Sequence, residues 1–342
     1  MRVLACVVNW NTAAALPGVI ESLCAQEGLD HVVVVDNGSA DGSAEVVRRY
    51  PDVRLIGNAD NRGFAGAANQ GVALARELGA DALLLCNPDI RLDPGHVLAA
   101  VAALGADPRR ASVQGRLWRM APGAPEPPVG QRRIDTTGHL AFRTRLFRNR
   151  GEGERDEGQY DAPAEVFGVS GALALYRLAA LEDVAVRGEV FDEDLFAFWE
   201  DVDLDWRLRR RGWQAWYEPT ATGWHERGGA GPRRSAFVEE LNFANRFLVL
   251  AKHDDLGLLA HDLPGIAVTS LLKAGELALT EPGAFVRAWP RLWARWRRMR
   301  AKGELVSAAA TVPNQQIISR WFAPFDYGRW VRTWWARVRA RG

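Results

Sequence analysis

The chain has 342 residues, 48% hydrophobic and 25% charged, an ordinary globular composition that excludes a disordered or low-complexity protein and leaves room for one large domain with an extension. Three cysteines, Cys6, Cys24 and Cys86, are too few and too scattered for a disulfide framework or a zinc knuckle, so a reducing compartment is expected. The net charge of +1 conceals a division: residues 287–342 hold thirteen basic and two acidic residues and seven of the 14 tryptophans, and the remainder is net acidic.

Val3–Val8 is a continuous apolar run, too short and too polar at its end for a secretion signal, and it predicts a strand buried on both faces. His31–Val35, Val53–Ile56 and Ala82–Cys86 repeat the pattern, and helical periodicity occupies about 14–26, 41–50 and 64–78. This alternation predicts an α/β fold with a parallel sheet. Ligands of such sheets bind at the carboxyl ends of the strands. Here those ends are Asn9-Trp10-Asn11, Asp36-Asn37-Gly38-Ser39, Asn58–Arg62 and Asn87-Pro88-Asp89, all polar.

Asp93-Pro94 predicts a capped helix reaching about 104. From about 119 to 163 regularity fades, and a mobile insert over the site is expected. Order returns at Val166–Tyr176, with helices at about 201–211 and 235–260. No stretch reaches the roughly 18 apolar residues of a membrane-spanning helix. The expected division is a catalytic domain over 1–235 and a helical, basic region over 236–342.

The first strand end lacks the Gly-x-Gly-x-x-Gly of a dinucleotide-binding turn, and no Walker A loop is present. Asp36 is either part of a capped turn with Ser39 and Asp41 or an acceptor for a base N–H. The small-residue run from Asn61 to Gly71 serves tight helix–sheet packing, or presents a helix N-terminus and Arg62 to a diphosphate. Asp89 is a hard oxygen donor of the kind Mg²⁺ takes alongside phosphates. Glu200-Asp201 follows Phe196, Phe198 and Trp199. Carboxylates brought near apolar surface need a partner or a task, and a positioned carboxylate can deprotonate a hydroxyl. His225 is either a structural histidine or a neutral imidazole completing a metal site with Asp89.

In order, Val7–Asn11, Val35–Ser39, Asn61-Arg62-Gly63-Phe64 with Asn69, Asn87-Pro88-Asp89, Ser170-Gly171-Ala172, Trp199–Leu204 and His225 resemble the family-2 glycosyltransferases of the GT-A fold, in particular the rhamnosyltransferase-like and galactofuranosyltransferase-like branch. The resemblance covers about residues 1–250. It implies an inverting enzyme that moves a sugar, dTDP-rhamnose being favoured over UDP-linked hexose or galactofuranose, to a glycan or lipid-linked acceptor. Asn9, Asn11, Asp36, Asn37, Arg62, Asn69 and Asn87 would form the donor site, with Asp36 recognising the base. Asp89 and His225 would hold Mg²⁺ or Mn²⁺, with Asn87 standing where many relatives carry aspartate. Asp201 and Glu200 would be the catalytic residues, with Asp201 as the base. Ser170, Gly171, Ala172 and Trp199 would lie beside donor sugar and acceptor. A nucleotide-sugar-binding protein without transferase activity is the competing expectation.

In the C-terminal region Trp289, Leu292, Trp293, Trp296 and Met299 fall at helical spacing, and Tyr327, Trp330, Val331, Trp334, Trp335 and Val338 repeat it. Such basic, Trp-rich helices lie on anionic membranes, or their tryptophans pack on protein. The expected location is the cytoplasmic face of a membrane, without nucleic acid as a partner.

Overall fold

The computed structural model describes residues 1–227, 235–254 and 256–328. Trp330, Val331, Trp334, Trp335 and Val338, named above, lie outside the described residues. The chain divides into two compact units, Met1–His139 with Arg148–Arg233, and Leu140–Phe147 with Arg234–Gly342. The segment 140–147, which the sequence reading keeps within the 1–235 domain, therefore belongs to the second unit.

The first unit opens with β1 (Val3–Asn9), α1 (Leu16–Cys24), β2 (His31–Asp36), α2 (Ser43–Val47), β3 (Val53–Gly57), α3 (Gly63–Glu77) and β4 (Ala82–Cys86). Then follow β5 (Ile90–Leu92), α4 (His96–Gly105), β6 (Arg110–Met120) and β7 (Ile134–Thr136). A hairpin of β8 (His139–Phe142) and β9 (Phe147–Asn149) crosses into the second unit and back. The first unit closes with β10 (Ala164–Val166), β11 (Leu173–Arg177), α5 (Leu178–Asp183), α6 (Glu200–Arg210) and β12 (Gln214–Glu226). The main sheet runs β10-β12-β6-β11-β4-β1-β2-β3, with β5 and β7 attached to β12 and β6. Strands β3, β2, β1 and β4 are mutually parallel, β6 and β12 are parallel, and β11 runs antiparallel between β4 and β6.

The central strands read as unbroken apolar runs because both faces are covered. Leu4, Cys6, Val33, Val35, Leu83 and Leu85 pack on one side with residues of α3, α5 and α6. Val3, Ala5, Val7, Val32, Val34 and Leu84 pack on the other with residues of α1 and α4. A Cβ on Gly71 of α3 would stand 2.4 Å from Cys6 Sγ. The small residues of this helix thus serve close helix–sheet packing. Cys6 and Cys86 are buried and Cys24 is exposed.

Two sequence expectations fail here. Asp93 does not cap α4: its N-cap is Gly95 at φ 82°, and the Asp93 carboxylate accepts from Thr222 Oγ1 at 2.7 Å and Trp224 Nε1 at 3.0 Å. Two side-chain donors from β12 outcompete the helix terminus. Nor is 119–163 without regular structure, since it carries β7, β8 and β9. Arg116 donates to Asp161 Oδ1 at 2.6 Å and Trp118 Nε1 to Asp156 Oδ2 at 2.6 Å, tying the segment to β6.

The second unit contains α7 (Ala236–His253), α8 (Leu256–Thr280), α9 (Pro282–Ala309), α10 (Asn314–Trp321) and β13 (Phe322–Ala323), which pairs with Ala141–Phe142. Arg145 is fully buried and grips Asp254 with two bonds, at 2.9 and 3.1 Å, and Asp262 at 2.7 Å. Gly303 of α9 is required by close approach, because a Cβ there would meet the Lys252 carbonyl oxygen at 2.3 Å. The expected stripe on α9 is divided. Leu292 and Met299 are buried, Trp289 stacks edgewise on Phe243 and Phe285, and Trp293 is exposed. Among the described residues no helix is long and apolar enough to cross a membrane.

Candidate active site

Because β2, β1 and β4 are adjacent and parallel, Asp36, Asn9 and Asn87 leave the sheet at one edge. Asn9 donates through Nδ2 to Asp36 Oδ1 at 2.6 Å, and Ser39 Oγ donates to the same oxygen at 2.6 Å. Asn11 at φ 52° accepts from the Ala40 N–H at 2.8 Å. The result is a rigid, hydrogen-bonded lip around a carboxylate. Asn37 donates to the Gly63 carbonyl at 3.0 Å and so fixes the start of α3. Arg62 stays half exposed there, 3.9 Å from Glu193. Asn69, expected at the donor, instead clamps the 190–191 turn: its Oδ1 accepts from Phe191 N at 2.9 Å and its Nδ2 donates to Phe191 O at 2.8 Å.

The second cluster joins β12 to the end of β4. His225 pairs with Ile90 across the ladder, and its Nε2 stands 3.3 Å from Asp89 Oδ1. That oxygen is buried without a hydrogen-bond partner. His225 Nδ1 is 2.8 Å from Asp135 Oδ2, and Asp135 also ion-pairs with Arg227 and, at 3.2 Å, with Arg119. Burial opposes the charged imidazole, but the hydrogen bond to Asp135 and the charges of Asp135 and Asp89 outweigh it and raise the His225 pKa to about 9. Burial likewise opposes ionisation of Asp135, yet His225 and Arg227 hold it below the usual carboxylate range. An orphaned carboxylate oxygen beside an imidazole whose other nitrogen is held by a carboxylate suits a divalent cation. Among the described residues no set of three or more His, Cys, Asp or Glu side chains could hold a metal. Asp89 and His225 by themselves are two such side chains, and a cation held there would draw its remaining ligands from elsewhere, as Mg²⁺ does from phosphate oxygens.

The third cluster is built on a contorted turn. Phe196, Phe198 and Trp199 all have positive φ, 67°, 67° and 74°. These conformations are costly for large side chains and concentrate at functional sites. The Phe196 carbonyl accepts from Ala65 N at 3.0 Å and lies where a Cβ on Gly63 would be 2.4 Å away. The turn is thereby locked to the start of α3. It delivers Glu200 and Asp201 to the first turn of α6, where the helix dipole favours anions.

Asp201 Oδ2 accepts the Gly171 N–H at 3.1 Å, and Oδ1 accepts its neighbour Val202 N–H at 2.8 Å. Its side chain keeps 20% exposure. Ala172, one residue on, gives its carbonyl to Asn87 N at 2.8 Å. Ser170 N donates to Gln114 Oε1 at 2.8 Å, so Ser170-Gly171-Ala172 is the physical link between the Asp89 and Asp201 clusters. Glu200 departs from its expected role. It is buried with Oε2 unpartnered, and burial first, then the adjacent Asp201 charge, push its pKa well above the usual range. Burial therefore works against Glu200 serving as the ionised base.

His139 and Asp205 support Asp201 from behind. His139 Nε2 lies 3.6 Å from Asp201 Oδ2, and Nδ1 lies 2.8 Å from Asp205 Oδ2. Asp205 in turn accepts the Val169 N–H at 3.1 Å. Burial opposes protonation of His139, but the charges of Asp201 and Asp205 and the hydrogen bond to Asp205 prevail and raise its pKa. Gly168 makes room for this pair, since a Cβ there would sit 1.8 Å from Asp205 Oδ2. Sequence reasoning overlooked Asp135, His139 and Asp205. The first two lie in the aperiodic segment, and Asp205 reads as one more helical acid. Their signal was the one histidine of that stretch, with an aspartate four residues before it.

With this geometry in place, residues 5–185 match the family described as Glycosyl transferase family 2. The chain belongs to glycosyl transferase family 2. A relative, the N-acetylglucosaminyl-diphospho-decaprenol L-rhamnosyltransferase of Mycobacterium tuberculosis, is 31% identical over 232 residues, 64% of this chain and 74% of that protein. The poly-beta-1,6-N-acetyl-D-glucosamine synthase of Staphylococcus aureus is 23% identical over 196 residues, 56% of this chain and 42% of that one. Among solved structures, GalNAc-T7 with UDP, GalNAc and Mn²⁺ superposes with a TM-score of 0.64 at 13% identity, covering 94% of this chain and 56% of that one. S. aureus TarS gives 0.52 at 15% identity, covering 90% and 52%. The fold of this family-2 chain is GT-A, a mixed α/β sheet domain with a helical C-terminal region.

Proposed function

We propose that this glycosyltransferase is an inverting, metal-assisted rhamnosyltransferase that acts on a glycan or lipid-linked acceptor at the cytoplasmic face of a membrane. One observation carries the reading: Asp201 alone among the clustered acids of α6 is held by a backbone N–H from the loop beside Asn87–Asp89 while remaining open to solvent. That is the placement of a base that takes a proton from an incoming hydroxyl. Identity of 31% to an L-rhamnosyltransferase supports the donor sugar.

In this reading Asp36, inside its Asn9 and Ser39 lip, accepts from the nucleobase, and half-exposed Trp10 offers a flat surface beside it. Arg62 and the start of α3 face the diphosphate. Asp89 and His225 would hold a divalent cation, which supplies charge neutralisation for the departing diphosphate. Asp201, steadied by Gly171 and His139, removes the acceptor proton as the hydroxyl attacks the anomeric carbon from the face opposite the leaving group. Glu200 holds its proton and shapes the floor beneath Asp201.

The test is a panel of nucleotide sugars with Mg²⁺ or Mn²⁺, read by thermal shift and by transfer to a soluble acceptor. A donor that binds stabilises the fold in proportion to its saturation. Stabilisation and product with dTDP-rhamnose support the reading. Product only with a UDP-hexose would reassign the donor, and binding without product from any donor would favour a non-catalytic binder.

A further inference from the structure

Helix α8 is inverted relative to an ordinary surface helix. Its charged side chains point into the second unit: Asp262 pairs with Arg145 at 2.7 Å, and Lys273 with Glu239 at 2.9 Å and Glu276 at 3.5 Å. Thr269 is buried and accepts from Arg246 at 2.9 Å. The opposite face carries Leu263, Pro264, Val268, Leu271, Gly275 and Leu279, at helical spacing and without a charge. Leu271 is 72% exposed and Leu279 75% exposed. Single exposed leucines are normal, but an uncharged row along a helix whose charges are all turned inward marks an interaction surface.

The next helix also carries an exposed stripe. Val286, Pro290, Trp293, Arg297 and Arg300 fall at alternating spacings of four and three and are all exposed, while Ala284, Ala288, Leu292 and Met299 point inward. The outer stripe of α9 is therefore apolar in its first half and basic in its second. A second copy of the chain packed face to face would set this arginine-bearing stripe against its own equivalent. An anionic surface meets it with opposite charge and accepts the leucines and Trp293 at its acyl boundary.

We propose that the outer face of α8 and the exposed stripe of α9 dock on an anionic lipid bilayer. The proposal deepens, and rests on, the reading of a transferase with a membrane-borne acceptor, and it replaces the α9 stripe expected from sequence. The test is co-sedimentation of the full chain with vesicles of phosphatidylcholine alone and of phosphatidylcholine and phosphatidylglycerol in equal parts. The expected result is binding to the mixed vesicles and little to the neutral ones. Leu271→Glu with Leu279→Glu should weaken binding about tenfold or more. Leu271→Ser with Leu279→Ser should weaken it in the same direction with less perturbation of the fold. Arg297→Glu with Arg300→Glu should abolish the preference for anionic vesicles. Transfer to a water-soluble acceptor, measured on the same samples, should be unchanged. A wild-type chain that stays in the supernatant with both vesicles overturns the proposal, as does wild-type binding by both leucine pairs. A wild-type dimer that the leucine changes dissociate also overturns it, assigning the face to a second copy. Vesicle binding without any transfer would sink the transferase reading and leave this surface standing. Transfer without vesicle binding would do the reverse.

Discussion

Glu200 and Asp201 are adjacent at the start of α6, yet their side chains enter different media. Asp201 keeps a solvent-open carboxylate held by the Gly171 N–H at 3.1 Å. Glu200 is enclosed, with one oxygen unpartnered and its pKa raised by burial and by the Asp201 charge. Two neighbouring acids are thus placed in different surroundings, and those of Glu200 disfavour its ionised form.

If Glu200 is already neutral, replacing it by its neutral isostere changes little chemically. Glu200→Gln is expected to retain turnover within about tenfold, whereas loss of a general base costs on the order of 10²–10⁴-fold. Steady-state transfer rates check this. A Glu200→Gln enzyme as dead as one lacking Asp201 would return Glu200 to the catalytic pair.

Stability separates the same pair by pH. A carboxyl with a raised folded-state pKa binds more protons folded than unfolded, so it lowers stability increasingly as pH rises above its unfolded value of about 4.3. Glu200→Gln removes that burden. Its melting temperature should exceed wild type at about pH 8 by more than at about pH 5, and equal differences at both pH values would contradict the buried, protonated state.

His139 behaves with the opposite sign. Its raised pKa means that the imidazolium held between Asp201 and Asp205 contributes fully below about pH 6.5 and fades as pH rises through the folded-state value. His139→Gln should cost about 3 kcal/mol near pH 6 and less near pH 9. Urea melts at the two pH values measure it. Because His139 steadies Asp201, kcat should fall while donor KM holds.

Asp135 is not itself a proposed metal ligand, but it holds His225 Nδ1 at 2.8 Å. Asp135→Asn is expected to weaken Mn²⁺ binding in the presence of nucleotide by about 10–100-fold, and Asp89→Ala to weaken it further. Calorimetric titration decides. Unchanged affinity in Asp89→Ala would move the metal elsewhere, and a chelator that leaves transfer intact would remove it from the mechanism.

The sheet was legible because Val3–Val8, Val32–Val35 and Ala82–Cys86 are apolar at every position, the pattern of strands covered on both faces. Its polar carboxyl ends followed from the parallel topology. What stayed hidden depends on long-range partners. Asp93 reads as a helix cap until Thr222 and Trp224, distant in sequence, take its carboxylate. Asp135 and His139 sit where no periodicity speaks, and their roles exist only because His225 and Asp205 arrive from elsewhere. The inward charges of α8 were invisible for the same reason: Asp262, Lys273 and Glu276 look like surface residues until Arg145 and Glu239 are placed beneath them.

The most direct test is transfer from dTDP-rhamnose to a soluble acceptor by wild type and Asp201→Asn, with donor affinity measured alongside and the product's anomeric configuration read by NMR. The account predicts an inverted linkage, a rate loss of on the order of 10² or more in the variant, and donor affinity close to wild type. Unimpaired transfer by Asp201→Asn, or a product that retains the donor's configuration, would contradict it.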